Sequence, residues 1–447
     1  MKKNDLIYGN IGKAILLFVL PLIAGSLIQQ LYITVDAIIV GRFAGKVGLA
    51  AIDSVNTLFK FPINFMNGLA SGATIIISKY VGARDKENLH CSIRTALTVA
   101  MVLGAISSIA GILLSPCFLK VMRVPADIHG ATLTYCRIYF GGLWSLILYN
   151  MAAGILRAFG DSKRPLYVLI LSSLINVVGD FLLVGVFGMG VAGAAIATVM
   201  AQAVSVVLAI IILKRKKYDF KIQKQDFKIN KQCKRFIKVG LPLALQEFLT
   251  QMSFLALCAF INKLGLEASS GYGVACKIVS FAMLVPSALM QSMASFVSQN
   301  VGAGNEKRAK NAMFTGIGVG VLIGMVVFAI VLLKGDLLTG IFTTDADVIQ
   351  KGYDYLKGFA LETIVTAILF SMIGYFNGHD QTMWVMAQGL IQTLLVRLPL
   401  AYYMSIQPNA SLTNIGLAAP VSTIVGIVLN VGFFIYLERV GNKKTKK

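Results

Sequence analysis

Asp36, Asn176, Asp180 and Thr198 are the residues in this sequence whose types and spacing suit chemistry. Each lies within a long apolar run, where an ionisable side chain costs about 3 kcal/mol or more and marks function by default. Asn176 and Asp180 are four apart, so both fall on one helix face, one turn from each other. Thr198 follows on the return path after Gly185-Val-Phe-Gly-Met-Gly190, and Asp36 sits in the first apolar run. Two carboxylates, an amide oxygen and a hydroxyl suit a hard cation such as Na+, with backbone carbonyls completing its shell. The same two carboxylates can instead share a proton, since two bare like charges do not persist together in a dry site. Plain interhelical bonding at about 0.6–2 kcal/mol per contact accounts for Asn176 and Thr198. It does not account for two acids with no basic residue at their depth, so one cation site is expected at these four residues.

The elements that must position them are membrane helices. The 447 residues are 57% hydrophobic and 14% charged, against about 25% charged in soluble domains. Mean hydropathy is +0.76. A hydrocarbon core of about 30 Å needs about 20 helical residues per crossing. Runs of that kind recur near 13–40, 49–80, 91–115, 128–156, 165–186 and 190–213, then near 236–261, 268–300, 309–333, 348–376, 381–404 and 413–437. The fold class expected is an all-α membrane protein of twelve transmembrane helices. The period-two alternation of a membrane β-barrel is absent from these runs. At about 1.5 Å per residue from the outer ends, Asp36 lies ~8 Å deep, Asp180 ~9 Å, Thr198 ~12 Å and Asn176 ~15 Å. All four therefore share the outer half of one set of helices.

A formal charge of +21 invites a nucleic-acid reading, which the placement of the charge excludes. Eleven Lys and Arg fall within Lys214–Lys238, whereas the loops on the other side carry Arg42, Lys46, Lys120, Arg123, Lys263 and Lys334. This asymmetry is the positive-inside pattern and places both termini in the cytoplasm of a multi-pass cell-membrane protein. No short apolar core followed by a small-residue cleavage site precedes the first run, so no cleaved signal is expected. The cysteines at 91, 117, 136, 233, 258 and 276 form no CxxC pair or disulfide framework. His90, His129 and His379 are scattered and read as loop or boundary residues.

The chain repeats itself. Leu20-Pro-Leu22 returns as Leu241-Pro-Leu243, Gly45 as Gly265, and Val81-Gly-Ala83 as Val301-Gly-Ala303, at offsets of 221, 220 and 220. Phe159-Gly-Asp-Ser-Lys-Arg-Pro165 has an echo starting at Phe376, and Gly190-Val-Ala-Gly one at Gly416. A duplicated unit of six spans, an even number, gives two parallel lobes around a central cleft. The domains expected are 1–213, a basic cytoplasmic linker at 214–235, and 236–447. A promiscuous cleft would draw on Gln29, Met66, Gln251, Phe281, Met290 and Met293, since methionine and aromatic side chains repack around varied shapes. Glu362 is the candidate acid of the second lobe. Arg397, two residues before Pro399, either pairs with an acid or marks a helix kink. Lys60 and Lys277 read as snorkelling residues.

The Leu-Pro opening of each lobe, the Val-Gly-Ala turn after each second span, Arg157-Ala-Phe-Gly-Asp-Ser-Lys-Arg-Pro165 and Gly190-Val-Ala-Gly-Ala-Ala-Ile-Ala-Thr198 together resemble the multidrug and toxic-compound extrusion (MATE) transporters of prokaryotes. The likeness covers almost the whole chain. It implies secondary active efflux, in which cation entry drives substrate out as the lobes rock. It also implies a cation site made by an Asp on span one, an Asn and Asp four apart on span five, and a Thr on span six, matching Asp36, Asn176, Asp180 and Thr198. Where some members carry a Glu on span seven, this chain has Gln251.

The function expected is a cation-coupled antiporter, driven by Na+ or H+, that exports amphipathic and often cationic organic compounds. It would need no cofactor and would act as a monomer in the bilayer on small organic substrates. The alternative is a flippase for a lipid-linked precursor. That role calls for a strongly cationic cleft, for which Lys60 and Lys277 are the only intramembrane lysines. Enzyme motifs such as HExxH, GxSxG and the P-loop are absent, so catalysis is not expected.

Overall fold

In the computed structural model, which describes residues 6–215 and 230–444, fifteen α-helices and two π-helical turns make up the regular structure, with no strand among the described residues. The first half runs α1 Ile11–Phe43, α2 Gly45–Ala83, α3 Lys86–Val121, α4 Ala126–Ala158, α5 Lys163–Asp180 and α6 Gly190–Arg215. The second runs α7 Lys231–Asn262, α8 Leu266–Ala282, α9 Leu284–Gly302, α10 Glu306–Gly340, α11 Ala346–Phe359, α12 Glu362–Gly378, α13 Thr382–Leu390, α14 Leu398–Ser405 and α15 Leu412–Lys444. The π turns are Phe181–Val186, directly after α5, and Ile391–Arg397, between α13 and α14.

Ten stretches are long and apolar enough to cross a membrane, and α11 with α12, bent by 47° at their junction, forms an eleventh. The 39-residue α2 is the twelfth. Lys60, Pro62, Asn64 and Asn67 dilute its apolar character. Twelve spans thus match the twelve runs, with three of them broken. The break between α8 and α9 falls at Met283, three residues before Pro286, whose missing N–H and ring sterics disfavour an uninterrupted helix. The last of the three is span eleven, where a π turn separates α13 from α14.

The internal repeat is written into the hydrogen bonds of the turns. Gly45 and Gly265 open α2 and α8 with φ of +69° and +107°, a region glycine enters without a Cβ penalty. At the turn after α2, Asp85 N donates to Tyr80 O over 3.2 Å; at the turn after α9, Asn305 N donates to Asn300 O over 2.8 Å. Each of these residues then caps the next helix, Asp85 accepting from Asn88 N and Asn305 from Arg308 N. The side-chain amide of Asn88, together with its backbone N–H, holds the Asp85 carboxyl below the usual carboxylate range. At the third pair of turns, Asp161 N donates to Leu156 O and Gln381 N to Phe376 O. All three pairs are 220 apart, so Phe376 is the counterpart of Leu156 and the sequence echo with Phe159 is three residues out of register.

Packing divides the chain into two compact units: Leu16–Ala244 with Met1–Ile7, and Leu245–Lys447 with Tyr8–Ile15. The division falls inside α1 and inside α7. Of the linker expected at 214–235, residues 216–229 lie outside the described residues, and α7 has already begun at Lys231. In the first unit, α2 meets the start of α7 backbone to backbone. A Cβ on Gly68 would stand 2.5 Å from Ala244 Cα, and one on Gly72 2.5 Å from Gly240 Cα. Gln232, 3% exposed, ties the same end of α7 down by donating to Tyr80 Oη and Asn88 Oδ1, each at 3.0 Å. In the second unit, Arg308 Nη1 donates to Gly9 O over 2.8 Å, holding the segment before α1.

Candidate cation site

Asp36 is carried by α1 fifteen residues after Pro21, Asn176 and Asp180 by the last turns of α5, and Thr198 by α6. Asn176 is 2% exposed and Asp180 is fully enclosed. The close approach of α5 and α6 rests on small residues, since a Cβ on Gly179 would lie 3.0 Å from Ala197 Cβ. Directly after Asp180 the backbone leaves α geometry for the π turn Phe181–Val186, a local rearrangement that recurs at functional sites.

The donors and acceptors of the cluster are sorted. Asn176 Nδ2 donates to Thr198 Oγ1 over 3.3 Å, and the Thr198 hydroxyl donates to Ala194 O over 3.0 Å. These bonds use one amide hydrogen of Asn176 and the Thr198 hydroxyl, and leave the acceptors. Asp36 Oδ1, Asn176 Oδ1 and both Asp180 carboxylate oxygens are sealed from solvent, with no amide, hydroxyl or basic side chain donating to them. The Asp36 and Asp180 carboxyls lie close enough to interact directly. Neither forms an ion pair with a basic side chain among the described residues. Bare acceptors of this kind are expensive in a dry interior unless a proton or cation offsets them. The oxygen-only donor set fits a hard monovalent cation or a shared proton.

Three further polar side chains belong to the same cluster and escaped the sequence reading. Tyr32 and Tyr139 both interact electrostatically with Asp36, and Gln202 hydrogen-bonds the Tyr139 hydroxyl. Phe59 stacks on Tyr139 with centroids 4.2 Å apart and leans against Tyr135 at 5.9 Å, so an aromatic layer from α2 and α4 backs the acids. A signal was present: Tyr32 is four residues before Asp36 and Gln202 four after Thr198, each on the face of its site residue.

A second polar cluster lies within the second unit. Glu362, 4% exposed, accepts from Thr423 Oγ1 over 2.9 Å and pairs with Arg397 Nη2 at 3.4 Å. Arg397 Nε donates to Ser422 Oγ over 3.2 Å. Gln392 Nε2 donates to Thr423 Oγ1, and Gln388 Nε2 to Gln392 Oε1. Arg397 thus satisfies both readings of its sequence position: it pairs with an acid, and it ends a π turn. Of the residues named for a cleft, Gln29 is exposed and Met66 half-buried in the first unit. Gln251, Phe281 and Met290 are half-buried in the second, while Met293 is fully enclosed beside Gly316 and Gly374. Lys277 Nζ lies 5.5 Å from the Phe342 ring centre, engaged as a cation–π partner.

A family model described as MatE matches residues 21–182 and 242–403. The probable multidrug resistance protein YoeA of Bacillus subtilis (strain 168) is 25% identical over 440 residues, covering 96% of this chain and 94% of its own length. The probable multidrug resistance protein YpnP of the same organism is 27% identical over 400 residues, covering 89% of each. A solved structure described as MATE in the bent conformation superposes with a TM-score of 0.91 at 23% identity, covering 98% of this chain and 99% of its own.

Proposed function

Because the chain belongs to the MatE family, whose members are transporters and not enzymes, we propose that it is a cation-coupled antiporter that exports amphipathic, often cationic organic compounds. The observation that carries the reading is the set of four sealed acceptor oxygens on Asp36, Asn176 and Asp180, to which no amide, hydroxyl or basic side chain donates. A site in that state is stabilised by a Na+ ion or a proton and destabilised when the ion leaves. Coupling follows if ion binding and substrate release favour different arrangements of the helices that carry the acids, so that a gradient of the ion biases the alternation. The π turn after Asp180 is the segment whose hydrogen bonding can change with the charge beside it.

The proposal extends to the surroundings of the site. Gln29 and Met66 in the first unit and Gln251, Phe281 and Met290 in the second contact substrate, while Met293 serves packing. The protein works as a monomer in the cell membrane with both termini cytoplasmic, the side on which Lys214–Lys238 concentrates basic charge. The names of the Bacillus relatives, probable multidrug resistance proteins, support export of organic compounds. A flippase reading is weaker, since Lys277, one of the two lysines it would need, is engaged with Phe342.

The test is uptake of ethidium into inverted vesicles, with Na+ and proton gradients imposed separately. One gradient should drive uptake in the wild type, and Asp36→Asn and Asp180→Asn should each abolish it. Full-rate uptake in both variants would remove the cluster from the mechanism.

A further inference from the structure

The two polar clusters balance their charge differently. In the first unit two acids face an amide and a hydroxyl, with no basic partner among the described residues. In the second, one acid faces an arginine. The positions are related by the repeat. Counted from Pro21 and Pro242, Leu257 stands for Asp36; counted from Asp161 and Gln381, which are 220 apart, Val396 stands for Asn176 and Leu400 for Asp180, with Arg397 the residue after Val396. Through the Gly190 and Gly416 pair, Thr423 stands one residue before the counterpart of Thr198. Leu257 is buried in an apolar cluster, and Leu400 packs against the same cluster. The second unit therefore carries neither acid of the first, brings in Glu362 from α12, and places a guanidinium one residue past the counterpart of the amide.

We propose that Arg397 is a built-in counter-cation. Its guanidinium holds, in the second unit, the place a coupling ion takes in the first, so the driving ion is drawn through Asp36 and Asp180 alone. This inference rests on the cation-site reading of the first unit. Arginine does not deprotonate in proteins, so the pair with Glu362 stays neutral throughout a transport cycle and asks nothing of the solution. Glu362 Oε2, Thr366 Oγ1 and Gln388 Oε1 are sealed from solvent, with Thr366 beside the Glu362 carboxyl. With the guanidinium gone, Glu362 becomes a stranded buried charge, and these oxygens are ready ligands for an ion from outside.

The experiment counts ions bound by the purified full-length chain, using radioactive sodium at equilibrium and difference proton titration against the wild type. The wild type should bind one class of ion, lost in Asp180→Asn. Arg397→Gln should gain a second equivalent of Na+ or H+ that survives Asp180→Asn and disappears when Glu362→Gln is added. The Arg397→Gln/Glu362→Gln double variant leaves no stranded partner and should bind ions as the wild type does. A folded Arg397→Gln with no gain of either ion overturns the proposal. So does a double variant that binds fewer ions than the wild type, and this second comparison decides the matter should the single variant not fold. Unchanged binding in Asp180→Asn would overturn the first-unit site, and the gain at Glu362 is read independently of it.

Discussion

Asp180 is fully enclosed beside a second carboxyl, Asp36, and no amide, hydroxyl or basic side chain donates to it, an arrangement that is costly unless a proton or cation offsets it. Neutralising it should therefore stabilise the fold while ending coupling, as happens at sites where function and stability oppose each other. In Na+-free alkaline buffer, Asp180→Asn is expected to melt above the wild type. Adding the coupling ion should close the gap by stabilising only the wild type, because an ion that binds the folded state alone raises its stability by mass action. A thermal-shift series with and without Na+, repeated at lower pH, names the ion. Equal melting temperatures in every condition would mean the carboxylate carries no penalty. Thr198→Val removes one oxygen and strands the Asn176 amide, so ion affinity should fall by about tenfold. The Asn–Asp spacing and the lone Asp36 exposed this site to a sequence reading because charge inside an apolar run is conspicuous. Tyr32, Tyr139 and Gln202 did not stand out, because tyrosine and glutamine are ordinary at helix boundaries and only the packing brings them to Asp36.

At the scale of elements, α2 shows how composition and contact are linked. Its Gly68-Leu-Ala-Ser-Gly72 stripe reads as a surface for close helix approach, and the partner proves to be the start of α7 at Gly240 and Ala244. A side chain at Gly72 meets backbone, which cannot rotate away. Gly72→Val should therefore cost about 1–3 kcal/mol or more of stability, seen as a lowered melting temperature and poor yield. Gly273→Ala, where a Cβ meets nothing within 4 Å, should be silent and serves as the control. All twelve runs were legible because hydropathy depends only on local composition. The breaks at Met283 and Ile391–Arg397 and the bend before Glu362 were not, since a π turn or a 47° bend depends on which neighbours satisfy the freed backbone groups. The pairing of Arg397 with Glu362 was hidden for the same reason: 35 residues separate them, and only the placement of α12 against the π turn joins them.

At the scale of the molecule, the duplicated chain uses its two units unequally, one holding bare acids and the other a self-neutralised pair. The same inequality appears in the distribution of charge along the chain, with eleven basic residues in Lys214–Lys238 and one or two in each basic loop of the opposite side. If that asymmetry sets the orientation, Lys307 at the start of α10 faces the cytoplasm and Thr344, past its far end, faces outward, with one span between them. A membrane-impermeant maleimide added to intact cells should label Thr344→Cys and spare Lys307→Cys in a background stripped of native cysteines. Permeabilised cells should label both. The reverse pattern would invert the topology and place the basic stretch outside. Labelling of both sites from the same side would mean that α10 does not cross, which would break the even count on which the parallel repeat depends. The result also bears on energetics, because the direction of the ion flow proposed through Asp36 and Asp180 is defined only once it is known which side each turn faces.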